Sequence, residues 1–187
     1  MVTKDQKPQI LKGIVEVDET YVLESRKGDR KLDRKACRRG GKARKRGLSD
    51  EHVPILVAVD RSGTTACSVL PSAKAESIYS ALEPRIDDDI LLVTDGNNVY
   101  PPCAKSLEVR HEALNQSAGQ QVRGAAHIQT AKNRHSGLKD FLRRYRGVSS
   151  KYLENYLRRF ERRELLKSSA RSCLATAIGA SCIQFAN

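Results

Sequence analysis

The chain has no tryptophan, a single methionine and three phenylalanines in 187 residues. A basic protein that rides on a membrane surface needs large apolar side chains opposite its cationic face, and this composition supplies few. No apolar run is long enough to span a bilayer, and Met1 to Pro8 lacks the apolar segment of a secretory leader. The cysteines, Cys37, Cys67, Cys103, Cys173 and Cys182, are odd in number, scattered and without a Cys-x-x-Cys pair. That argues against a zinc clamp and for reduced thiols in a cytoplasmic protein. Acidic residues are also short of balance: 22 Asp and Glu against 34 Lys and Arg leave a formal net charge of +12. Such a chain attracts polyanions, and nucleic acid is the leading partner.

This length suits one α/β domain with a real core. Residues 1–13 read as a polar leader, 14–163 as the domain and 164–187 as a helical tail. Ile14 to Val22 is rich in β-branched residues and reads as the first strand. Residues 26–51 carry Arg34, Lys35, Arg38, Arg39, Lys42, Arg44, Lys45 and Arg46 among other cations, with few acids. A stretch this polar does not order itself, so it reads as a flexible insertion, compatible with an arm that orders on DNA. Val53 to Asp60 and Thr64 to Leu70 form a hairpin turning at Asp60-Arg61-Ser62-Gly63. A helix over Ala73 to Leu82 stops at Pro84. Asp87-Asp88-Asp89 reads as a solvated turn before a strand at Ile90 to Val93, followed by a short helix ending near Lys105 and a strand around Leu107 to His111. Residues 116–126 read as a polar loop. From Thr130 to Tyr145, Ala131, His135, Leu138, Leu142 and Tyr145 share one helical face, with Lys132, Ser136, Lys139 and Arg143 in the stripe beside it. Gly147 breaks that helix, and the next carries Tyr152, Leu153, Tyr156, Leu157 and Phe160 beside Arg158, Arg159, Arg162 and Arg163.

Asp18 lies inside the first strand and Asp95 directly follows the apolar run Ile90 to Thr94. A carboxylate in a buried strand is costly unless a cation offsets it. Two acids on strands able to pair suggest a metal site, because two-metal phosphodiester cleavage needs carboxylates from different elements around ions about 4 Å apart. Mg²⁺ or Mn²⁺ takes such hard oxygen ligands. Taken singly, Asp18 also reads as an ion-paired strand end and Asp95-Gly96-Asn97-Asn98 as a turn or helix cap. By strand alternation Glu16 shares the face of Asp18 and Glu19 points away, which makes Glu16 the better auxiliary acid.

Four segments then occur in order: Val15-Glu16-Val17-Asp18-Glu19-Thr20-Tyr21-Val22; Thr94-Asp95-Gly96 with Tyr100; His127-Ile128-Gln129-Thr130 with His135-Ser136 and Leu138-Lys139; and Arg144-Tyr145-Arg146-Gly147-Val148 with Lys151-Tyr152-Leu153 and Asn155-Tyr156-Leu157. Together, over roughly residues 11–163, they resemble the catalytic domain of ISXO-like DDE-type transposases of bacterial insertion sequences. The resemblance implies a ribonuclease H-like fold, a mixed central sheet with flanking helices and a C-terminal helical extension. It also implies divalent metal, Mg²⁺ or Mn²⁺, and cleavage and transfer of double-stranded DNA at transposon ends. Carried over by position, Asp18 and Asp95 match the first two catalytic acids and metal ligands, and Lys139 matches the lysine that follows the third.

The third position, Glu or Asn in such proteins, aligns with Lys132. A protonated ammonium has no lone pair and repels Mg²⁺. Asn133 stands about 100° further round the helix and serves only after a shift in register. His127 and His135 offer nitrogen, a poor match for Mg²⁺. Lys132 instead joins Arg143 and the basic insertion as a candidate phosphate contact. Only residues 1–13 precede the first strand, so the end-recognition region that such transposases carry in front is expected to be missing. The expectation is a truncated or degenerate transposase domain at the nucleoid, with self-association on DNA. The alternative is a catalytically inactive DNA-binding remnant that regulates, or dimerises with, an intact transposase. A ribonuclease or Holliday-junction nuclease on the same fold shares the chemistry but finds no support in the later segments.

Overall fold

Apolar and polar residues alternate from Leu11 to Leu23, and this whole stretch forms the central strand, β1. The computed structural model describes residues 9–33, 35, 41, 43–45, 49–114, 122–123 and 126–184, with side chains described as far as residue 170. β2 (His52–Asp60) and β3 (Thr65–Val69) make the expected hairpin, which turns at Gly63 with φ +90, a conformation that favours glycine. β4 (Ile86–Asp95) and β5 (Arg110–Leu114) continue the sheet on the other side of β1. The order is β3-β2-β1-β4-β5, with β1 antiparallel to β2 and parallel to β4, and β4 parallel to β5. This is the ribonuclease H-like topology expected. A separate ribbon joins β6 (Val122–Arg123) to β7 (Ala126–His127) inside the stretch read as loop.

Helices cover both faces because β1, β2 and β4 bury side chains of both parities. α1 (Ala75–Leu82) and α2 (Tyr100–Ser106) close one face over Val15, Val17, Leu56 and Leu92. α3 (Gln129–Arg143) and α4 (Leu153–Gln184) close the other over Ile55 and Val57, through Leu138, Leu157 and Phe160. Phe141 meets Tyr145 edge-on at 5.2 Å, and the Arg163 guanidinium lies 4.9 Å over the Phe141 ring.

Several expected boundaries move. The leader gives way to strand at Leu11, which is fully buried and pairs with Ile86. Asp87, Asp88 and Asp89 lie within β4 as exposed residues, not in a turn before it. The register shifts between Leu11 and Gly13, and that irregularity takes up the extra acidic residues at the surface, where Asp87 meets Lys12 at 3.7 Å and Asp89 meets Arg110 at 2.9 Å. β5 begins at Arg110, later than expected, because α2 runs to Ser106 and Glu108 turns the chain at φ +56. α4 runs unbroken across residue 164, and Glu164 is buried. There Glu164 accepts from Arg134 Nη1 at 2.7 Å and from Lys167 Nζ at 2.9 Å.

α4 also covers the edge of the sheet. β3 is an edge strand, and an uncovered edge offers N–H groups to any other chain. The N–H of Cys67 donates to Glu161 Oε1 at 2.6 Å and that of Val69 to Glu154 Oε2 at 3.2 Å. Arg85 Nη1 meets the same Glu161 oxygen at 3.3 Å. Glu161→Ala strands both groups, and unfolding free energy is expected to fall by about 1–3 kcal/mol, read from urea denaturation. Glu154→Ala, with the longer bond, should cost less. Wild-type stability in Glu161→Ala would rule out this carboxylate as the cover of the edge.

Candidate active site

The last paired residues of β1 and β4 are Val17 and Thr94. Asp18 and Asp95 are therefore next-door neighbours on parallel strands, whose axes lie roughly 4.8 Å apart, and in-register side chains share a face. That face looks toward α3: Val93, two residues before Asp95, packs with Ala131. β4 stops at Asp95 while β1 continues to Leu23 alongside β2. The two acids thus line a notch where the sheet loses a strand.

Asp18 is only 15% exposed. Its Oδ1 accepts the N–H of Glu19 at 3.0 Å, and its Oδ2 lies 3.8 Å from His135 Nδ1. Burial pushes the Asp18 carboxyl up to about 7, and the charges of Asp95 and Glu19 push the same way. The Glu19 N–H and the charge of Lys132 oppose them. Burial brings His135 down to about 4, with Lys139 and Lys132 adding to that shift. His135 is neutral at pH 7, so it is no counter-ion for Asp18, and it packs in the helix face. Asp95 Oδ1 accepts the N–H of Asn97 at 3.2 Å, the local turn that its sequence suggested.

Glu16 fixes the start of α3. It is 1% exposed and accepts the N–H of Ala131 through Oε2 at 2.9 Å, at the positive end of the helix dipole. Arg61, from the β2–β3 turn, and His127 Nδ1, at 3.1 Å, close on its Oε1. Glu16 shares the face of Asp18 as alternation predicts, and both of its carboxylate oxygens are engaged in this anchor. The anchor sets Lys132, the next residue, where its charge reaches both Asp18 and His135. Lys139 follows on the same helix with its charge on His135, while Asn133 is exposed. Glu19 lies on the opposite face against Tyr100, yet burial and the charge of Asp95 both raise its carboxyl, with the Tyr100 hydroxyl opposing.

Of the basic residues singled out, Lys35, Arg44, Lys45, Lys132 and Arg143 are exposed. The Arg44 N–H donates to Glu51 Oε2 at 2.6 Å and Arg143 pairs with Asp140. Arg34, Arg38, Arg39, Lys42 and Arg46 lie outside the described residues. The root of the insertion is tied down: Lys27 Nζ donates to the carbonyls of Tyr145 at 3.2 Å and Gly147 at 2.8 Å. Sequence reasoning missed the Glu16 anchor and the engagement of Glu19. The signal for the first was an acid at the same strand parity as Asp18 and two residues before it.

Among the described residues, no group of three His, Cys, Asp or Glu side chains converges as a metal cluster. Asp18 and Asp95 still suit one hard divalent cation. They offer carboxylate oxygens, and burial, with the charge of Asp95 adding to it, holds a proton on Asp18 that a cation would displace. From the α3 side the charge of Lys132 reaches Asp18.

Mixed sheet, notch and paired acids define a nuclease- or transposase-like α/β domain. Residues 10–164 match the ISXO2-like transposase domain, and the chain belongs to that family. An uncharacterized protein in transposable element ISH50 of Halobacterium salinarum is 34% identical over 172 residues, 90% of this chain and 58% of that protein. The chain thus spans little more than half the length of that relative. A pre-cleavage Mos1 transpososome structure aligns at 8% identity and a TM-score of 0.35, over 84% of this chain and 55% of that one, a likeness too distant to argue from. No helix among the described residues is long and apolar enough to cross a membrane.

An acid with a folded pKa near 7 and an unfolded value near 3.8 binds more protons folded than unfolded between those limits. Stability without metal should therefore fall as pH rises from about 4 to 7. Asp18→Asn should flatten that slope and raise stability at pH 7.5 by roughly 2–4 kcal/mol, with little gain at pH 3.5. Thermal melts in chelator across that range test it; an unchanged slope in Asp18→Asn would place the titration elsewhere.

Proposed function

We propose that this chain is the catalytic domain of a DDE-type insertion-sequence transposase, cutting and joining duplex DNA with Mg²⁺ or Mn²⁺, and weakened at its third position by Lys132. The observation that carries this reading is the register of β1 and β4, which sets Asp18 beside Asp95 on the α3 face of the notch. When bound, the metal supplies charge for the attacking and leaving oxygens of the phosphodiester. Asp18 and Asp95 hold it, and the rim of the notch admits the backbone. Lys132, Lys139 and Arg143 descend one stripe of α3 over roughly 16 Å, a track for successive phosphates. The basic insertion adds affinity that falls steeply with salt.

One observation favours a second reading, a DNA-binding remnant without catalysis that regulates or pairs with an intact transposase. Lys132 directs its charge at Asp18, so the α3 side of the site disfavours a second cation.

Nicking of supercoiled plasmid separates the two. Under the first reading, weak nicking needs Mg²⁺ or Mn²⁺, is lost in Asp18→Ala and Asp95→Ala, and rises on the order of 10-fold in Lys132→Glu or Lys132→Asn, the scale on which even an outer-shell partner of a metal ligand changes activity. DNA binding without nicking in any variant supports the remnant. Nicking that survives both aspartate substitutions would dismiss the site.

A further inference from the structure

On the α2 face of the sheet β4 presents Ile90, Leu92 and Thr94, all of them buried. Thr94 is the polar one, wholly out of solvent and next to Asp95. A valine would fill the same space in a strand, and a buried hydroxyl is costly unless it is bonded. This one is bonded twice: Thr94 Oγ1 lies 2.9 Å from the carbonyl oxygen of Asp95 and 2.9 Å from His111 Nε2. His111 belongs to β5, where it pairs with Leu92 and so lies on the same face, one step back from Thr94. A carbonyl oxygen only accepts, so the single hydroxyl proton goes to Asp95, and Nε2 must carry the proton that it gives to Oγ1. Burial brings His111 below its ordinary value, so the ring is neutral at pH 7 and its proton sits on Nε2.

This chain of donors ends where the backbone loses support on one side. Pairing with β1 stops at Thr94, one residue short of Asp95, which pairs with Leu114 of β5. Beyond it the chain leaves the sheet through the turn in which Asp95 Oδ1 accepts the N–H of Asn97.

We infer that His111 and Thr94 are positioning residues for Asp95: the run from His111 Nε2–H through the Thr94 hydroxyl to the Asp95 carbonyl fixes the peptide that carries the carboxylate, and so aims it at a divalent cation shared with Asp18. The inference rests on the reading of Asp95 as a metal ligand. Neither residue touches the cation, because both lie on the α2 face and the carboxylate leaves toward α3. Asp18 repels that carboxylate when no metal is bound, and a fixed peptide limits how far it can swing away. The ligand is then held ready before the cation arrives, which is what groups behind a metal ligand contribute to affinity.

Mn²⁺ binding to the full chain, followed by calorimetry and by the Mn²⁺ electron paramagnetic resonance signal, tests this without any DNA reaction. Thr94→Val, which keeps the shape and removes the hydroxyl, and His111→Leu should each weaken Mn²⁺ about 10-fold, the lower end of the range for outer-shell partners of ligands. Thr94→Ser and His111→Gln, which return a hydroxyl and an N–H to those places, should recover most of the wild-type affinity. His111 is partly exposed on an edge strand, so its two variants decide the matter even where Thr94→Val does not fold. Side-chain nitrogen shifts of His111 should show the neutral Nε2–H tautomer; the Nδ1–H tautomer reverses the chain and overturns the inference. Wild-type affinity in Thr94→Val and His111→Leu, with weakened binding in Asp95→Asn, also overturns it and leaves Asp95 standing, the hydroxyl then being a satisfied core group and no more. Absence of binding in the wild type, or unchanged affinity in Asp95→Asn, overturns the reading of Asp95 and this inference with it.

Discussion

Parallel pairing of β1 with β4 imposes the central electrostatic constraint of this molecule. Hydrogen bonding between the strands runs to Val17 and Thr94, so the next residue on each strand has no choice of neighbour. Both are aspartates, and like charges at such spacing, half out of water, raise the energy of the folded chain. Burial first, and then the charge of Asp95, hold the Asp18 carboxyl up near 7. Everything around the notch is arranged about that cost. β4 ends at once, which admits solvent, the backbone N–H of Glu19 faces one oxygen, and α3 presents cations across the opening.

α3 reaches that position because of a second buried acid with the opposite accounting. Glu16 lies deeper than Asp18 yet is fully engaged by Arg61, His127 and the first turn of α3. A buried carboxylate with three donors is well compensated, whereas one beside another carboxylate is not. Two acids of the same strand and parity therefore divide the labour: one fixes the helix, the other faces the opening. The aromatic group of Phe141, Tyr145, Tyr156 and Phe160 secures the far end of the helix against α4. Held at both ends, α3 keeps Lys132, His135 and Lys139 in a fixed relation to the notch.

Much of this was legible in the sequence, and the reasons it was legible are local. β1, the β2–β3 hairpin and the apolar face of α3 each carry their own period, and the order of elements followed from them. The placement of Asp18 and Asp95 was readable because each sits at a fixed offset from an apolar run. What stayed hidden depended on distant partners. No local feature of Asp87-Asp88-Asp89 announces a strand; the pairing of Ile86 with Leu11 makes it one. β5 was placed too early because Leu107 and Val109 look like strand residues but pack, outside any strand, against the core cluster that includes Leu92, Tyr100 and Ala104. Weak amphipathicity after 163 conceals that Glu164 is held by Arg134 of another helix. Glu16 was assigned by parity alone, and parity does not disclose that an Arg from a turn and the start of a helix will converge on it.

Lys132 is then open to a physical account. An acid in its place on α3 would add a further like charge beside Asp18 and Asp95, and the metal-free chain would bear that repulsion. The ammonium does the reverse: it is the side-chain charge that lowers the Asp18 carboxyl against burial, Asp95 and Glu19. The balance at Asp18 is therefore set from two sides: burial and the neighbouring acids hold its proton on, while the Glu19 N–H and the charge of Lys132 draw it off.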